Sequence, residues 1–278
     1  MDVTFKGWTR PGPVPPGALA PPAIAADETL DYICGHFRLF QRRDGHRFST
    51  DDVLTAWYGT TWCPSAGRVL DLGSGIGSVA TIAAWRLRGA HVVTVEAQEI
   101  SVALARRSMA YNGLAERCDV RIGDLRDGRV LRDDERFDLI LGSPPYFPVG
   151  TGVEGDHPQK VACRFELRGD IGDYARAAAA HLAAGGVFAC VFPLPDGQRA
   201  RVLAAAAGAG LTIVRNRPVV FREGAAPLVG LFAMTRAADL PPDLQHETWN
   251  EPALVIRTAE GRIHPEYRAL KLAIGLPP

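Results

Sequence analysis

Asp71-Leu72-Gly73-Ser74-Gly75-Ile76-Gly77 decides the fold, because three glycines follow a short apolar run and precede a helical pattern. The run at residues 68–72 has the length of a buried strand, and residues 77–87 have helical spacing. Glycines at a strand end let the backbone approach a ligand closely, next to the free amides of a helix N-terminus. The stretch therefore predicts a ligand-binding turn between a strand and a helix.

Strands and helices alternate outward from this turn along most of the chain. The predicted strands cover residues 68–72, 91–96, 118–124, 137–143, 187–193, 211–221 and 229–236. The predicted helices cover residues 77–87, 99–112, 173–184 and 196–209, and Gly185-Gly186 is expected to close the third. This alternation is typical of an α/β domain with a doubly wound, mostly parallel sheet, here of seven strands, and helices on both faces.

The residues before the sheet predict an arm and a short extension. Residues 11–26 contain six prolines, which disfavour both helix and sheet. Residues 28–48 alternate apolar and polar side chains and predict a hairpin, with its turn at Asp44-Gly45. Ser49 or Thr50 then caps a helix. The expected divisions are a flexible arm at 1–27 and one domain at 28–278, with an extension at 28–62, a core at 63–240 and a tail at 241–278.

The composition excludes several classes of protein. Apolar residues make up 47% and charged residues 22% of the 278 positions, which rules out a disordered or collagen-like chain. Five scattered cysteines indicate neither a zinc site nor a disulfide framework. The formal net charge is zero, so nucleic-acid binding would require a local basic patch. Without a signal-peptide core or an apolar run of about 20 residues, we expect a cytoplasmic protein that needs neither a membrane nor a metal.

The glycine turn fits two classes of ligand. Gly75-Ile-Gly77-Ser-Val-Ala80 matches the G-x-G-x-x-G/A pattern of dinucleotide-binding proteins, with Glu96 as the ribose-binding acid. The spacing D-x-G-x-G-x-G, with an acid after the next strand, is instead the signature of S-adenosylmethionine (SAM) binding. Asp71 favours SAM, because a carboxylate repels a pyrophosphate but attracts the ammonium group of a methionine. Glu96 would then hold the ribose hydroxyls, and Asp124 the adenine amine.

Ser143-Pro144-Pro145-Tyr146 follows the fourth strand, which in a doubly wound sheet lies beside the glycine turn. An amide or exocyclic nitrogen is a poor nucleophile because its lone pair is delocalised. If the Ser143 hydroxyl and the Pro144 carbonyl accept its hydrogens, the lone pair is directed at the sulfonium methyl group, and Tyr146 can stack on the planar acceptor. The tetrapeptide therefore predicts methyl transfer to nitrogen.

Together, the DLGSGIG turn and the SPPY tetrapeptide resemble the class I SAM-dependent amino-methyltransferases. Three further segments, at 47–54, 164–166 and 255–267, are similar to those of bacterial tRNA(Val) adenine N6-methyltransferases. The resemblance covers residues 30–275. It implies a Rossmann-like class I methyltransferase fold, SAM as cofactor, and tRNA or another structured RNA as substrate, methylated on an anticodon-loop adenine. That family carries Asn where Ser143 stands, and related cytosine-N4 enzymes carry Ser, so the target base stays open.

The expected site has three groups of residues. The catalytic turn is Ser143, Pro144, Pro145 and Tyr146. Around the cofactor we expect Asp71, Gly73, Gly75, Gly77, Glu96 and Asp124, to which the resemblance adds Thr50 and Asp51. Arginines interleaved with aromatic residues at 36–47 suit phosphate contact and base stacking. The expected substrate-binding residues are Arg42, Arg43, Arg47, Phe147 and Arg164. Phe147 begins the Gly-rich segment 147–163, which is predicted to be a mobile substrate loop, and Arg164 follows it.

Three alternatives stay open from the sequence. The same fold could methylate a protein glutamine or a small amine, which the zero net charge and Ser143 both favour. A SAM-binding scaffold without turnover is the second alternative, against which the intact SPPY tetrapeptide argues. A nicotinamide-dependent enzyme is the third, and it would bind a dinucleotide without any affinity for SAM.

Overall fold

The computed structural model describes residues 4–5, 8–9, 23–148, 150–151 and 157–276. Two short strands, β1 (Thr4–Phe5) and β2 (Trp8–Thr9), pair antiparallel. Most of the Pro-rich run, residues 11–22, lies outside the described residues, and so does part of the predicted substrate loop, residues 152–156. The flexible arm, the domain divisions and the mobility of that loop therefore stay predictions.

The predicted hairpin is confirmed, but its turn lies elsewhere. β3 (Glu28–Cys34) pairs antiparallel with β4 (Phe37–Arg42). The chain reverses at Gly35-His36, where Gly35 has a φ of +50°. The turn predicted at Asp44-Gly45 is wrong, because the closing pair of the hairpin is Cys34 with Phe37 and β4 has already ended at Arg42. That dipeptide lies in the connection to the first helix.

The first helix, α1 (Thr50–Trp62), begins at the predicted cap. The Ser49 hydroxyl accepts a hydrogen bond from the Asp51 amide at 3.2 Å, and the Asp52 carboxylate accepts one from the Ser49 amide at 2.9 Å. This reciprocal capping satisfies backbone amides that the first turn leaves free. It also fixes the orientation of the Asp52 carboxylate at the helix N-terminus, next to Asp51.

A mixed sheet forms the centre of the domain; within the described residues it has nine strands, and the seven longer ones are the seven that were predicted. They are β5 (Arg68–Leu72), β6 (His91–Glu96), β7 (Cys118–Ile122), β8 (Phe137–Gly142), β9 (Leu182–Pro193), β10 (Leu211–Val220) and β11 (Val229–Arg236). Their order is β10-β11-β9-β8-β5-β6-β7, and among them β11 alone runs antiparallel to its neighbours. Two short strands pair parallel with β10, namely β12 (Trp249–Asn250) and β13 (Leu254–Val255).

Helices cover both faces of the sheet. Besides α1 they are α2 (Ser78–Arg86), α3 (Glu99–Tyr111), α4 (Pro158–Arg164), α5 (Ile171–His181), α6 (Gln198–Gly208) and α7 (Pro265–Ala273). Val69 and Leu139 pack with α1, α2 and α3, whereas the next residue of each strand, Leu70 or Ile140, packs with α5 and α6. Successive strand residues point to opposite faces, so each strand contributes to two apolar layers.

The boundary between α5 and β9 differs from the prediction. The helix begins at Ile171, where the side chains of Asp170 and Asp173 form a reciprocal cap, and it ends at His181. Leu182 has an extended backbone and pairs with Phe137 of β8. Gly185-Gly186 therefore lies inside β9 and does not close the helix.

The segment predicted to be a loop at 147–163 contains most of α4. The buried Gln159 anchors this helix, because its amide nitrogen donates to Ser101 Oγ at 3.0 Å and its Oε1 accepts from the His46 amide at 2.9 Å.

Within the described part of the chain, no helix is both long enough and apolar enough to cross a bilayer.

Candidate functional site

A cleft of about 300 Å³ opens at the carboxyl ends of β5, β6 and β8. Between β5 and β8 the strand order reverses, which is where doubly wound sheets hold their ligands. Of the predicted site residues, the cleft is lined by Asp51, Asp71, Gly73, Gly75, Glu96, Ser143, Pro144, Pro145, Tyr146, Phe147 and Arg164. The fold therefore brings the glycine turn and the SPPY turn to opposite sides of one cavity.

The glycine turn forms one wall and needs glycine for two different reasons. Gly73 has a φ of +61°, and a Cβ there would collide with the Tyr174 hydroxyl. Gly75 has a φ of +54°, but a Cβ there would meet nothing closer than His46 Cδ2 at 3.9 Å. A side chain at Gly75 would therefore occupy the cleft, whereas one at Gly73 would disturb its wall.

Glu96 is fixed beside the glycine turn by two backbone amides. Its Oε2 accepts a hydrogen bond from the Gly75 amide at 2.9 Å, and its Oε1 accepts one from the Gln98 amide at 2.7 Å. Each carboxylate oxygen can accept a second hydrogen bond, and Glu96 lines the cleft. The carboxylate is thus oriented and still able to bind a pair of hydroxyl groups.

Four carboxylates, those of Asp51, Asp52, Asp71 and Glu96, line the inner part of the cleft. Burial raises the pKa of each one above its ordinary value. The pKa of Asp71 is raised further by the neighbouring charges of Asp52 and Glu96, although its Oδ2 accepts a hydrogen bond from the Ala80 amide at 3.0 Å. Such a concentration of acidic groups favours a cationic ligand and disfavours a phosphate.

The Ser74 hydroxyl is a buried polar group at the same wall. It has no hydrogen-bond partner within the part of the chain that the structure describes. Burying a hydroxyl without a partner costs free energy, so such groups in clefts commonly bind a ligand or water.

The SPPY turn forms the opposite wall. Hydrogen bonds between described residues leave both the Ser143 hydroxyl and the Pro144 carbonyl free to accept one from a ligand. The Tyr146 hydroxyl donates to Asp51 Oδ2 at 2.7 Å, and its ring packs nearly perpendicular to that of Phe192, with 5.8 Å between centroids. The turn therefore offers two acceptors and a fixed aromatic ring.

The mouth of the cleft is apolar and basic. Phe147 is 39% exposed, and the Arg164 guanidinium lies 5.9 Å from the centre of its ring. The Phe147 amide donates to the Arg164 carbonyl at 3.2 Å, and the Glu166 amide donates to the Phe147 carbonyl at 2.9 Å. The exposed Arg168 also lines the cleft. The interior and the mouth thus carry opposite charge.

Three of the predicted substrate residues lie outside the cleft lining: Arg42, Arg43 and Arg47. Arg42 pairs with Asp27 at 2.5 Å, and Arg47 pairs with Asp31 at 2.7 Å. The Arg43 guanidinium donates to the Ala26 carbonyl at 3.1 Å. These arginines hold the N-terminal extension together, and their contact with a substrate stays a prediction.

Three of the residues predicted to bind the cofactor are next in sequence to cleft-lining residues but do not line the cleft themselves: Thr50, Gly77 and Asp124. The Thr50 side chain lies close to the Tyr267 hydroxyl of α7 and lowers its pKa, although burial raises that pKa overall, and Gly77 lies at the N-cap of α2 with a φ of +82°. Asp124 is bound by Arg126 at 2.6 Å, which lowers its pKa, while the residues on either side of it line the cleft. Their cofactor role is still a prediction.

Several lining residues were not predicted from the sequence: His46, Asp52, Ser74, Ser78, Gln98, Cys163, Arg168 and Tyr174. Ser74 belongs to the glycine turn, Ser78 follows that turn directly, and Asp52 adjoins Asp51, so proximity to a motif could have found these three. Cys163 and Tyr174 follow no motif, and only the folding of α4 and α5 over the cleft brings them there. Burial raises the pKa of the Cys163 thiol to about 12, which disfavours its reactive thiolate form.

Comparison with known proteins adds independent observations. Residues 58–162 match the family model described as the methyltransferase small domain. The chain is 30% identical over 233 residues to the tRNA1(Val) (adenine(37)-N6)-methyltransferase of Shigella dysenteriae, covering 83% of this chain and 88% of that protein. It is 28% identical over 237 residues to the protein of that name from Tolumonas auensis, covering 84% and 92%.

The fold has a similar solved structure. The crystal structure of a predicted O-methyltransferase from Agrobacterium tumefaciens superposes with a TM-score of 0.58 at 20% identity. The match covers 81% of this chain and 97% of that one. At this identity the likeness concerns the fold alone, and it agrees with the doubly wound sheet predicted from the sequence.

Proposed function

The chain belongs to the family of tRNA1(Val) (adenine(37)-N6)-methyltransferases, and we propose that it transfers a methyl group from SAM to adenine N6 of an anticodon-loop nucleotide in tRNA. As a member it is a SAM-dependent methyltransferase with a Rossmann-like fold. One observation carries the choice of a nitrogen acceptor: the SPPY turn and the glycine turn face each other across a single cleft.

The cleft fits SAM chemically. SAM carries an ammonium and a sulfonium charge and no phosphate, and the cavity is lined by the buried carboxylates of Asp52, Asp71 and Glu96 and the half-buried one of Asp51. We propose that Glu96 binds the ribose hydroxyls with its remaining acceptor sites, and that Asp71 faces the ammonium group. The Ser74 hydroxyl, which lacks a partner among the described residues, can bond the methionine end. When bound, SAM supplies an electrophilic methyl group, so the protein need not supply one.

The acceptor amine is handled by the SPPY turn. The Ser143 hydroxyl and the Pro144 carbonyl accept the two N–H hydrogens, which draws the nitrogen toward tetrahedral geometry. The Tyr146 ring stacks on the base and holds it for in-line attack. The nitrogen then forms a bond to the methyl carbon as the carbon–sulfur bond breaks, and its extra proton leaves to water. The contribution of the chain is positioning and not acid–base catalysis.

The charge distribution supports an RNA substrate that presents one base. The acidic interior repels phosphates, so the backbone of the substrate stays at the mouth, where Arg164 and Arg168 are exposed. Phe147 offers a stacking surface there for a flanking base. An adenine in an anticodon loop is unpaired, and turning it into the cleft costs less free energy than extracting it from a duplex.

A second candidate acceptor is a protein glutamine or a small-molecule amine. Ser143 in place of Asn and the zero net charge favour it. The two candidates differ in what the mouth must bind, because neither of these alternative acceptors needs phosphate contacts.

Turnover with three classes of acceptor tests the proposal. Release of S-adenosylhomocysteine (SAH) is measured with unmodified bulk tRNA, with a glutamine-containing peptide and with a polyamine. We expect turnover with tRNA alone, abolished when the tRNA is digested with ribonuclease beforehand. Turnover with the peptide or the polyamine, and none with tRNA, would establish the second candidate.

A further inference from the structure

We infer that the first turn of α6 positions the SPPY turn for methyl transfer, with Gln198 and Arg201 as positioning residues. The inference rests on the proposed function, in which Tyr146 stacks on the acceptor. The Gln198 side-chain amide donates to the Tyr146 carbonyl at 3.1 Å, and Arg201 Nη1 donates to Gln198 Oε1 at 2.9 Å. Neither side chain lines the cleft, so neither can act on the acceptor directly.

Tyr146 is held at three separate points. Its carbonyl is bound by Gln198 and its hydroxyl by Asp51 at 2.7 Å, and its ring packs nearly perpendicular to that of Phe192. Arg201 supports the third point as well, because its guanidinium lies 5.7 Å from the centre of the Phe192 ring. The peptide plane and the ring plane of Tyr146 are therefore fixed from α1 on one side and from α6 on the other.

Arg201 also joins this arrangement to the mouth of the cleft. Its Nη2 donates to the Glu166 carboxylate, which is only 10% exposed. The Glu166 amide in turn donates to the carbonyl of Phe147, the residue after Tyr146. Arg201 thus connects α6 to Tyr146 through Gln198 and to Phe147 through Glu166.

The hydrogen bond from Gln198 affects the orientation of the Tyr146 ring and not its chemical reactivity. Pro145 fixes only its own φ and restricts Pro144, so the backbone torsions of Tyr146 are left free to rotate. The peptide after Tyr146 is held at its carbonyl by Gln198 and at the Phe147 amide by the Arg164 carbonyl. A displacement of about 1 Å in a positioning group can lower a rate about 100-fold.

An isosteric substitution at Gln198 tests its hydrogen bond to the Tyr146 carbonyl without removing its hydrogen bond to Arg201. Gln198→Glu keeps the size of the side chain and its acceptor for Arg201, but it replaces the amide donor to Tyr146 with a carboxylate oxygen that repels the carbonyl. Arg199→Ala, at an exposed neighbouring position of α6, is the matched control. Steady-state methylation of tRNA gives kcat and KM, and calorimetry gives the Kd for SAH.

A second readout follows Tyr146 itself. The six tyrosines are labelled with 3-fluorotyrosine, and the ¹⁹F resonance of Tyr146 is assigned as the one lost in Tyr146→Phe. We expect Gln198→Glu to broaden or split this resonance and to lower kcat about 10- to 100-fold. The KM for tRNA and the Kd for SAH should stay within about twofold, and Arg199→Ala should match the unchanged protein in every measurement.

An unchanged resonance together with kcat within about twofold would overturn the inference. A fall in kcat accompanied by equal losses of SAH binding and thermal stability would overturn it as well, because the effect would then be structural. If the unchanged protein does not methylate tRNA, the proposed function fails. The ¹⁹F resonance still decides whether Gln198 positions Tyr146, since that measurement needs no acceptor.

Discussion

The Tyr146 hydroxyl donates a hydrogen bond to Asp51 Oδ2 at 2.7 Å across 95 positions of the sequence. The bond joins the SPPY turn of the core to the first turn of α1, so the N-terminal extension contributes directly to the site. Burial raises the pKa of both groups, and the nearby Asp51 charge raises that of Tyr146 further. Tyr146 therefore stays protonated and can act as the donor.

Substitutions at Tyr146 should separate stacking from this hydrogen bond. Tyr146→Ala removes the ring, and we expect kcat for tRNA methylation to fall at least about 100-fold. Tyr146→Phe keeps the ring and loses the bond, which should lower kcat about five- to tenfold, equivalent to about 1–1.4 kcal/mol. The Kd for SAH should change less than twofold in both variants. Equal losses in the two variants would mean that the hydroxyl, and not the ring, is the essential group.

Gly73→Ala should destabilise the folded protein, and a second substitution at Tyr174 should restore part of the lost stability. A Cβ there combines a φ of +61° with a collision against the Tyr174 hydroxyl. We expect Gly73→Ala to lower the free energy of unfolding by about 1–3 kcal/mol, measured by chemical denaturation. Tyr174→Phe removes the colliding oxygen and should restore part of this loss in the double variant.

Gly89→Ala is the control for that series, because a Cβ at Gly89 meets nothing within 4 Å. It should leave the free energy of unfolding within about 0.5 kcal/mol of the unchanged protein. A double variant no more stable than Gly73→Ala alone would show that backbone strain accounts for the whole effect.

SAM affinity should rise with pH because four cleft carboxylates have raised pKa values. Their ordinary values are 3.8 for Asp and 4.5 for Glu, and burial moves each one upward. SAM carries two positive charges, on its ammonium and sulfonium groups, against one carboxylate, and this net positive charge favours ionised carboxylates in the cleft, so calorimetry between pH 5 and 8 should give tighter binding at the higher pH. SAH lacks the sulfonium charge and should show a shallower dependence. Equal dependence for the two ligands would contradict the proposed electrostatics.

When no ligand is bound, the same four carboxylates should make the protein less stable as the pH rises. Above pH about 4 the unfolded chain releases protons that the folded protein still holds, so the contribution of these groups to the free energy of unfolding falls as pH rises. SAM should therefore raise the Tm more at pH 8 than at pH 5. Asp52→Asn removes one of the four charges and should reduce that difference.

Charge reversal at the mouth should weaken RNA binding alone. Arg164→Glu removes a cation and its contact with the Phe147 ring, and we expect the KM for tRNA to rise about tenfold with little change in the Kd for SAH. The dependence of tRNA binding on salt should also become shallower. Arg88→Glu, in the exposed turn between α2 and β6 at the opposite edge of the sheet, should have no such effect. A similar loss in both variants would indicate a general charge effect and no specific contact.

The sheet could be predicted from the sequence because its strands are short apolar runs that end at recognisable turns. The bounds of β5, β6 and β11 agree with the prediction at both ends. The two-residue strands β12 and β13 were missed because they are too short to carry a pattern, and they exist only through pairing with β10. Tertiary contacts also moved the end of α5, since Leu182 gains a partner in β8.

The site was predictable where its residues belong to compact motifs. The glycine turn and SPPY are local, and parallel strands bring their carboxyl ends to one edge, so their meeting follows from topology. The residues that brace them do not share a motif. Gln198 follows Tyr146 by 52 positions, and its side chain reaches the turn only because α6 packs there. The arginines at 42, 43 and 47 were predicted from a local pattern but do not line the cleft, since ion pairs with Asp27 and Asp31 occupy two of them.

The central claim is that this chain methylates adenine N6 in tRNA, and the identity of the methylated nucleoside tests it most directly. The protein is incubated with tritiated SAM and bulk unmodified tRNA, and the RNA is digested to nucleosides and separated. We predict that the label is found on N6-methyladenosine and disappears with Tyr146→Ala. Label on N4-methylcytidine, or none in RNA while SAM binding is intact, would contradict the claim.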